Sequence, residues 1–365
     1  MIKKIKVIIA AGGTGGHVFP GYNLAEHLTK KNFEVIIATD KRGYKYLKKF
    51  DGVKISILPS APLIIKNIFT LFYSSILILI SFIRSFIFLI FNRPTIIFGM
   101  GGYASFTICI AAYILRIKFV IYENNLIIGK ANKYLLPFTK KIIVSNKKLE
   151  GIPIKYQNKI VEIGNIIKKE ILNFSKINNE NIGLKKFNIL ILGGSQAAKI
   201  FAEKLPIIFE ECLNYGISLK IYQHCLSNQN EKLKSIYEKL DIDFEIFNFS
   251  HNLTDYFSKV NLAITRSGAS ISAELVNANI PFISVPLPTS ADAHQLKNAN
   301  YYAKNNLAFL IEEKDISNKL FTLIKDIHGN ISLLDKIVIN QRQYSDKNVY
   351  NNIDKLIKNI FDEKN

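Results

Sequence analysis

Cysteine is scarce. The 365-residue chain has three, Cys109, Cys212 and Cys225, and no two of them form a CxxC pair. That excludes a disulfide framework and argues against a structural zinc site; the expected compartment is reducing. No leader is expected either. Met1 runs through Lys3, Lys4 and Lys6 into the apolar stretch Val7–Ala10. The stretch is too short for a signal peptide and no small-residue cleavage site follows it. Arginine is also scarce, at six of 48 basic residues, whereas Lys, Asn and Ile are abundant. An A/T-rich genome produces that mixture by codon bias, so the net charge of +19 says less than its distribution. Residues 1–163 hold 24 basic and seven acidic residues, net +17, against 24 and 22, net +2, for residues 164–365. Codon bias acts on both halves alike. The first half should therefore attract an anionic partner: nucleic acid, an anionic membrane or a phosphorylated substrate.

At roughly 150 residues per domain the length suggests two domains, and a composition 48% hydrophobic and 21% charged gives each a core. No internal repeat of about 20–50 residues is present. Short β-branched runs alternate with helix-length segments. Lys6–Ala10, Glu34–Thr39, Val53–Leu58, Thr95–Phe98, Phe119–Tyr122 and Lys141–Val144 read as strands. A second series comprises Asn188–Leu192, Ser218–Gln223, Phe244–Phe247, Leu262–Thr265 and Phe282–Val285. Such alternation predicts α/β domains with doubly wound parallel sheets. The polar stretch Ser175–Gly183 reads as a loop, with the domain change just before it near Gly164–Asn165. A last helix, about Tyr350–Phe361, has no strand after it.

Ile68–Phe91 is apolar over 24 residues with Arg84 its only charge. As a helix it is about 36 Å long, enough to cross a bilayer. Its place between two strands instead calls for a crossover helix. Lys66, Thr70, Ser74, Ser81, Arg84, Ser85 and Asn92 fall on one helical stripe. Three readings stay open here: a buried crossover helix, one that also dips into a membrane interface, and a span. Nearby lysines and arginines favour the interface over plain burial.

Glycine-rich turns follow three of the strands: Gly12-Gly13-Thr14-Gly15-Gly16-His17, Gly99-Met100-Gly101-Gly102-Tyr103 and Gly193-Gly194-Ser195-Gln196. Each precedes a helix, where backbone N–H groups approach an anion. One such turn is weak evidence. Three at the carboxyl ends of strands point to phosphorylated ligands in a cleft between the domains. The first is not a GxGxxG, and only Asp40 stands near the ribose position of a dinucleotide site, so NAD is disfavoured. Arg266-Ser267-Gly268-Ala269 is followed by Glu274, whose carboxylate on a helix can accept both hydroxyls of a ribose. His294-Gln295 open a further helix and can hydrogen-bond a sugar. The pattern Asp241-Ile242-Asp243 reads as a solvated turn.

GGTGGH-x-x-P, GMGGY, E-x-N, GGSQ, RSGA-x-x-x-x-E and HQ, in this order from about Lys4 to Asn306, resemble the MurG family. Its members are UDP-N-acetylglucosamine:undecaprenyl-diphospho-N-acetylmuramoyl-pentapeptide N-acetylglucosaminyltransferases of peptidoglycan synthesis. The resemblance implies a GT-B fold, with two Rossmann-like domains facing across a cleft. Residues 1–163 would bind acceptor and membrane, residues 164–344 the UDP-sugar, and a helix at about 345–365 would pack back on the first domain. It implies UDP-GlcNAc as donor and the lipid-linked disaccharide precursor lipid I as acceptor. It further implies no cofactor, no metal dependence, no nucleic acid, cell-wall synthesis proteins as further partners, and the cytoplasmic face of the bacterial inner membrane as the location. Carried over by motif, Ser195, Gln196, Ser250, Arg266, Ser267, Gly268, Ala269, Glu274, His294, Gln295 and Lys168 are donor contacts. Thr14, Gly15, Gly16 and Asn125 are donor contacts from the first domain. Gly12, Gly13, Gly101, Gly102 and Tyr103 are acceptor contacts, and His17 is the leading candidate for the base because an imidazole titrates near neutrality. Four positions depart from the family pattern. Ala197 replaces a glycine, Ile166 a proline, Tyr122 a histidine, and Lys168 an arginine, which keeps the charge but loses the bidentate fork. Two alternatives remain at this stage. One is another GT-B enzyme, such as a diacylglycerol glycosyltransferase or a UDP-GlcNAc epimerase. The other is a basic nucleic-acid binder, against which the six arginines and the lack of a recognisable motif count.

Overall fold

The computed structural model describes residues 5–62, 67–174, 186–248, 250 and 252–362, with only the backbone of residues 195–198. The loop expected over Ser175–Gly183 lies outside the described residues. The chain divides into two compact units, Met1–Ile167 with Asn348–Asn365, and Lys168–Lys347.

The first unit runs β1 (Lys6–Ala10), α1 (Gly15–Lys30), β2 (Glu34–Thr39), α2 (Lys41–Leu47), β3 (Lys54–Ile57) and α3 (Ile68–Asn92). It continues with β4 (Ile96–Gly99), α4 (Gly102–Ile114), β5 (Phe119–Glu123), α5 (Lys130–Leu135), β6 (Ile142–Val144) and β7 (Ile160–Glu162). The seven strands pair in the order β3-β2-β1-β4-β5-β6-β7, all parallel. Strands β1, β4, β5 and β6 are Ile- and Val-rich and buried nearly throughout, as a sheet covered on both faces requires. The order reverses between β1 and β4, so the loops leaving these strands open at a topological switch point. Helix α1 begins at Gly15, not near Tyr22 as Pro20 suggests. The helix runs on through Pro20, which lacks the N–H that would bond to the Gly16 carbonyl.

The second unit runs α6 (Lys169–Leu172), β8 (Phe187–Leu192), α7 (Gly194–Asn214), β9 (Leu219–His224), α8 (Asn230–Lys239), β10 (Asp243–Phe247) and α9 (Thr254–Phe257). It continues with β11 (Leu262–Thr265), α10 (Ala269–Asn277), β12 (Phe282–Ser284), α11 (His294–Lys304), β13 (Phe309–Leu310), α12 (Ile316–Gly329) and α13 (Ser332–Gln343). Its parallel sheet has the order β10-β9-β8-β11-β12-β13, with the switch point between β8 and β11. The last helix, α14 (Val349–Asp362), belongs to the first unit. It buries Val349, Ile353, Leu356, Ile357 and Ile360 on one face. It is tied to α1 by Asp354, which pairs with His27 at 2.8 Å and Lys31 at 3.1 Å.

Helix α3 connects two strands of one sheet and packs along α4, as a crossover helix does. The serines of its polar stripe face inward. Ser74, Ser81 and Ser85 are buried and bond back to the carbonyls of Leu71, Leu77 and Ser81. Ser85 also meets Thr107 of α4 at 3.3 Å. The apolar face is left outside: Phe69 is 81% exposed and Phe91 82%, and Phe72, Tyr73, Leu79, Ile83 and Ile87 are exposed between them. Full burial is therefore not what this helix does. Arg84 is exposed and Lys66 lies outside the described residues.

Candidate active site

The glycine loops of the first unit leave neighbouring strands and meet. Gly12 passes so close to α4 that a Cβ on it would stand 2.6 Å from the Cβ of Ala104. Gly13 donates its N–H to Asp40 Oδ1 at 3.0 Å. Thr14 caps α1 without a side-chain bond to the helix, so Gly15 and Gly16 present the N-terminus of a 16-residue helix. From the other loop Gly101 adopts φ +94°, and a Cβ there would lie 2.8 Å from Cε1 of His17. Only glycine leaves room for the imidazole. His17, half-buried on the first turn of α1, thus lies against Gly101 and Gly102, while Tyr103 at the head of α4 is exposed. The sequence-predicted residues Gly12, Gly13, Thr14, Gly15, Gly16, His17, Gly101, Gly102 and Tyr103 are gathered at one switch point.

Asp40 is a hub that the sequence misses. Its carboxylate accepts from the backbone N–H of Gly13 and of Gly43 (2.8 Å), from Arg42 (2.9 Å) and from Ser60 (2.7 Å). Burial works against ionisation, but these bonds outweigh it and hold the carboxyl below the ordinary range. A carboxylate so engaged braces the glycine loop and has no capacity left for a dinucleotide ribose. Glu123, buried at the end of β5, plays the same part for the next loop. It accepts from Asn125 Nδ2 (2.9 Å), Gly129 N (2.9 Å) and Asn132 Nδ2 (3.0 Å). Asn125 is therefore held by Glu123, and it is its neighbour Asn124 that reaches the first glycine loop, donating to Gly16 O at 3.1 Å. Tyr122, on the same strand, is buried, and its hydroxyl accepts the Ile166 N–H at 3.1 Å.

In the second unit the loops after β8 and β11 share the other switch point. Gly193 and Gly194 open the 21-residue helix α7. The side chains of Ser195, Gln196 and Ala197 lie outside the described residues. Gly268 caps α10 and Ala269 begins it. Ser267 is buried, its hydroxyl 2.7 Å from that of Ser284 and its carbonyl accepting from Asn298 at 3.1 Å. Arg266 is buried too. Its guanidinium donates to the Glu313 carboxylate and to the carbonyls of Val285 (3.4 Å) and Pro286 (3.2 Å), and lies 5.2 Å over the Phe201 ring. Arg266 therefore fastens the loop after β11 to the loop after β12. Glu313, 47 residues away, gives no signal in the sequence.

Glu274 and Lys168 are 106 positions apart and come together. Desolvation pushes the Glu274 carboxyl up to about 7, against the charge of Lys168, which favours the ionised form. Asp292 and Ala293 both adopt left-handed backbone (φ 51° and 52°) just before α11. Strain of this kind in residues with a Cβ concentrates at functional sites. It delivers His294, whose Nδ1 meets the Ala291 carbonyl at 2.7 Å and so carries the proton. A neutral ring then offers Nε2 as an acceptor. Gln295 holds the preceding loop, its Oε1 accepting from Leu287 N at 3.0 Å. Ser250 closes a turn with Asn252 after β10, at the edge of the sheet and two strands from β8. Asp243 is exposed and paired with Lys186 at 2.6 Å.

Two family models match the chain, the glycosyltransferase family 28 N-terminal domain over residues 7–144 and its C-terminal domain over residues 188–356. The UDP-N-acetylglucosamine–N-acetylmuramyl-(pentapeptide) pyrophosphoryl-undecaprenol N-acetylglucosamine transferase of Pelagibacter ubique is 35% identical over 362 residues, covering 98% of this chain and 99% of that protein. The chain belongs to the MurG family of glycosyltransferases. The enzyme of the same name from Rickettsia canadensis is 35% identical over 90% of this chain and 92% of its own. The crystal structure of Acinetobacter baumannii MurG matches with a TM-score of 0.76 at 23% identity, over 97% of this chain and 99% of that one, a likeness of fold. Both units are thus of the parallel α/β type that the MurG family combines in its GT-B architecture.

Proposed function

We propose that this chain is an inverting N-acetylglucosaminyltransferase. It moves GlcNAc from UDP-GlcNAc to the C4 hydroxyl of the N-acetylmuramoyl group of lipid I, making lipid II for peptidoglycan. The observation that carries the reading is a set of glycine-rich loops at the switch point of each sheet, in a chain related over nearly its whole length to enzymes of that name. Each loop set is suited to a phosphorylated ligand.

The second unit takes the donor. Glu274 accepts the ribose hydroxyls and Ser250 lies at the base. The loops at Ser195–Gln196 and Ser267–Ala269 surround the diphosphate with N–H groups, Lys168 adds charge, and His294 and Gln295 read the sugar. Arg266 positions the loop instead of touching phosphate. From the first unit Thr14, Gly15, Gly16 and Asn125 serve the donor sugar. Gly12, Gly13, Gly101, Gly102 and Tyr103 hold the acceptor diphosphate. In the reaction the acceptor oxygen attacks the anomeric carbon and the bond to the diphosphate breaks. UDP leaves with the electron pair, and the hydroxyl proton passes to His17. Negative charge growing on the leaving diphosphate is stabilised by loop N–H groups, the α7 and α10 N-termini and Lys168.

The acceptor is lipid-linked, and the outward face of α3 supports a peripheral seat in a membrane interface. Its aromatic and aliphatic side chains face out while its serines face in. Tyr113, Ile114, Tyr134 and Phe138 extend the exposed apolar surface on the same unit. The net charge of +17 over residues 1–163 suits an anionic surface. The orientation follows from the substrates: the cytoplasmic face of the inner membrane. The test is UDP release from UDP-GlcNAc by purified protein in detergent. Release only with a lipid I analogue is expected. Release with diacylglycerol instead, or conversion of UDP-GlcNAc without any acceptor, would reassign the chain to another GT-B activity.

A further inference from the structure

Residues 163–167 form an irregular segment that leads from β7 to the end of the first unit's main run, and all but Gly164 are buried. Buried backbone without regular structure must find its hydrogen-bond partners elsewhere. Ile163 N–H donates to the Val144 carbonyl at 3.0 Å, and side chains supply further partners. Asn352 Nδ2 donates to Ile163 O at 3.2 Å and the Tyr350 hydroxyl to Ile167 O at 2.7 Å, both from α14. The Tyr122 hydroxyl, from β5, serves the segment twice. It accepts the Ile166 N–H at 3.1 Å and makes a long bond of 3.5 Å to Gly164 O. Both oxygen functions of the phenol are thus engaged with one turn of backbone. A proline at 166 would have no N–H to serve; an isoleucine needs an acceptor, and Tyr122 is placed to be it. The next residue is Lys168, whose carbonyl starts α6 by accepting from Ile171 (3.1 Å) and Leu172 (3.2 Å), and whose charge acts on Glu274.

We propose that Tyr122 is a positioning residue for the donor site. Its hydroxyl fixes the path of residues 164–166 and so the point from which Lys168 reaches the UDP diphosphate. The role of Lys168 rests on the function proposed above; the restraint on the segment does not. Without the hydroxyl the Ile166 N–H is buried without an acceptor, and the segment shifts to hydrate it. Lys168 then meets the diphosphate from a wider range of positions.

The test compares full-length wild type with Tyr122→Phe, which keeps the ring and its packing. Hydrogen exchange at the amides of residues 164–169 should rise in the variant. The dissociation constant for UDP and the KM for UDP-GlcNAc should rise together by about tenfold, with the KM for a lipid I analogue unchanged. Ile166→Pro added to Tyr122→Phe removes the orphaned N–H and restrains the backbone, and should return UDP affinity to within about threefold of wild type. If the double variant does not fold, exchange and UDP affinity of Tyr122→Phe decide alone. Unchanged exchange in Tyr122→Phe overturns the restraint. Raised exchange or a lower Tm with unchanged UDP affinity overturns the positioning role, leaving a merely structural tyrosine. If wild type itself fails to bind UDP, the functional reading fails, while the exchange result still shows whether Tyr122 holds the segment.

Discussion

Asn124 donates its side-chain N–H to the carbonyl of Gly16, at 3.1 Å, from the loop after β5. The residue four positions on is Pro20, inside α1, and it has no N–H. The glycine loop thus reaches the shape it needs at a helix start by borrowing a hydrogen bond from the loop after β5. Asn124→Ala should cut transfer by roughly tenfold, as loss of a half-buried bond of about 1–1.5 kcal/mol predicts. Pro20→Ala in that background supplies the missing N–H and should recover most of the loss. A double-mutant cycle reads the coupling; strictly additive effects would deny the relationship.

His17 rests on Gly101 and Gly102, and in the proposed reaction it takes the proton of the acceptor hydroxyl. His17→Ala should lower kcat by roughly 10²–10⁴-fold while leaving UDP affinity nearly intact. Gly101→Ala should imitate it. The new Cβ would stand 2.8 Å from the imidazole at a backbone angle that alanine rarely adopts. A Gly101→Ala enzyme with wild-type kcat would show that the ring's place is not critical.

Glu274 makes donor binding depend on pH. Its carboxyl is held up to about 7 in the folded chain, against an ordinary 4.5, because burial disfavours the charge. A raised carboxyl contributes most to stability when protonated. That contribution declines as pH rises from about 4.5 through about 7. Binding has the opposite sign, because ribose hydroxyls donate to the carboxylate. UDP affinity should rise with pH, by up to about tenfold per unit below 7, and level off above it. Calorimetry in buffers of different ionisation enthalpy at pH 6.5 should detect proton release on binding. Glu274→Gln should bind more weakly and lose both the pH dependence and the proton release.

The outward face of α3 predicts membrane binding without a folding role. Phe69, Phe72 and Phe91 are exposed, so changing all three to Ser should leave Tm within about 2 °C while lowering affinity for anionic lipid vesicles at least tenfold. Activity on a short-chain soluble acceptor should persist. A large fall in Tm would mean that these side chains pack against protein.

Much of this was readable from the residues, for physical reasons. Strands such as β1, β5 and β8 are buried runs of Ile and Val, a pattern that survives without any tertiary information. Strands β7 and β13 escape notice because three and two residues at a sheet edge carry too little pattern. The polar stripe of α3 was legible, but not the side to which it turns, since that depends on what Ser85 meets across the helix pair. The start of α1 is not legible because Pro20 suggests a beginning, and the Asn124 side chain that donates to Gly16 comes from far along the chain. The glycine loops were found from their spacing after strands. The acids that brace the loops of the site, Asp40, Glu123 and Glu313, look in sequence like any others, and only the bonds they accept set them apart. The same holds for Arg266, which the motif gives as a donor contact, while its bonds to Glu313 and to the Val285 and Pro286 carbonyls show only in the structure.

The proposed reaction is transfer of one GlcNAc to the C4 hydroxyl of lipid I. The most direct measurement is to incubate wild type and His17→Ala with UDP-GlcNAc and a lipid I analogue, isolate the lipid product, and determine its mass and glycosidic linkage. Wild type should give a lipid heavier by one N-acetylhexosamine, joined through a β-linkage to C4, and His17→Ala very little of it. A product with an α-linkage, a sugar attached elsewhere, or UDP-GlcNAc bound by folded protein with no lipid product would contradict it.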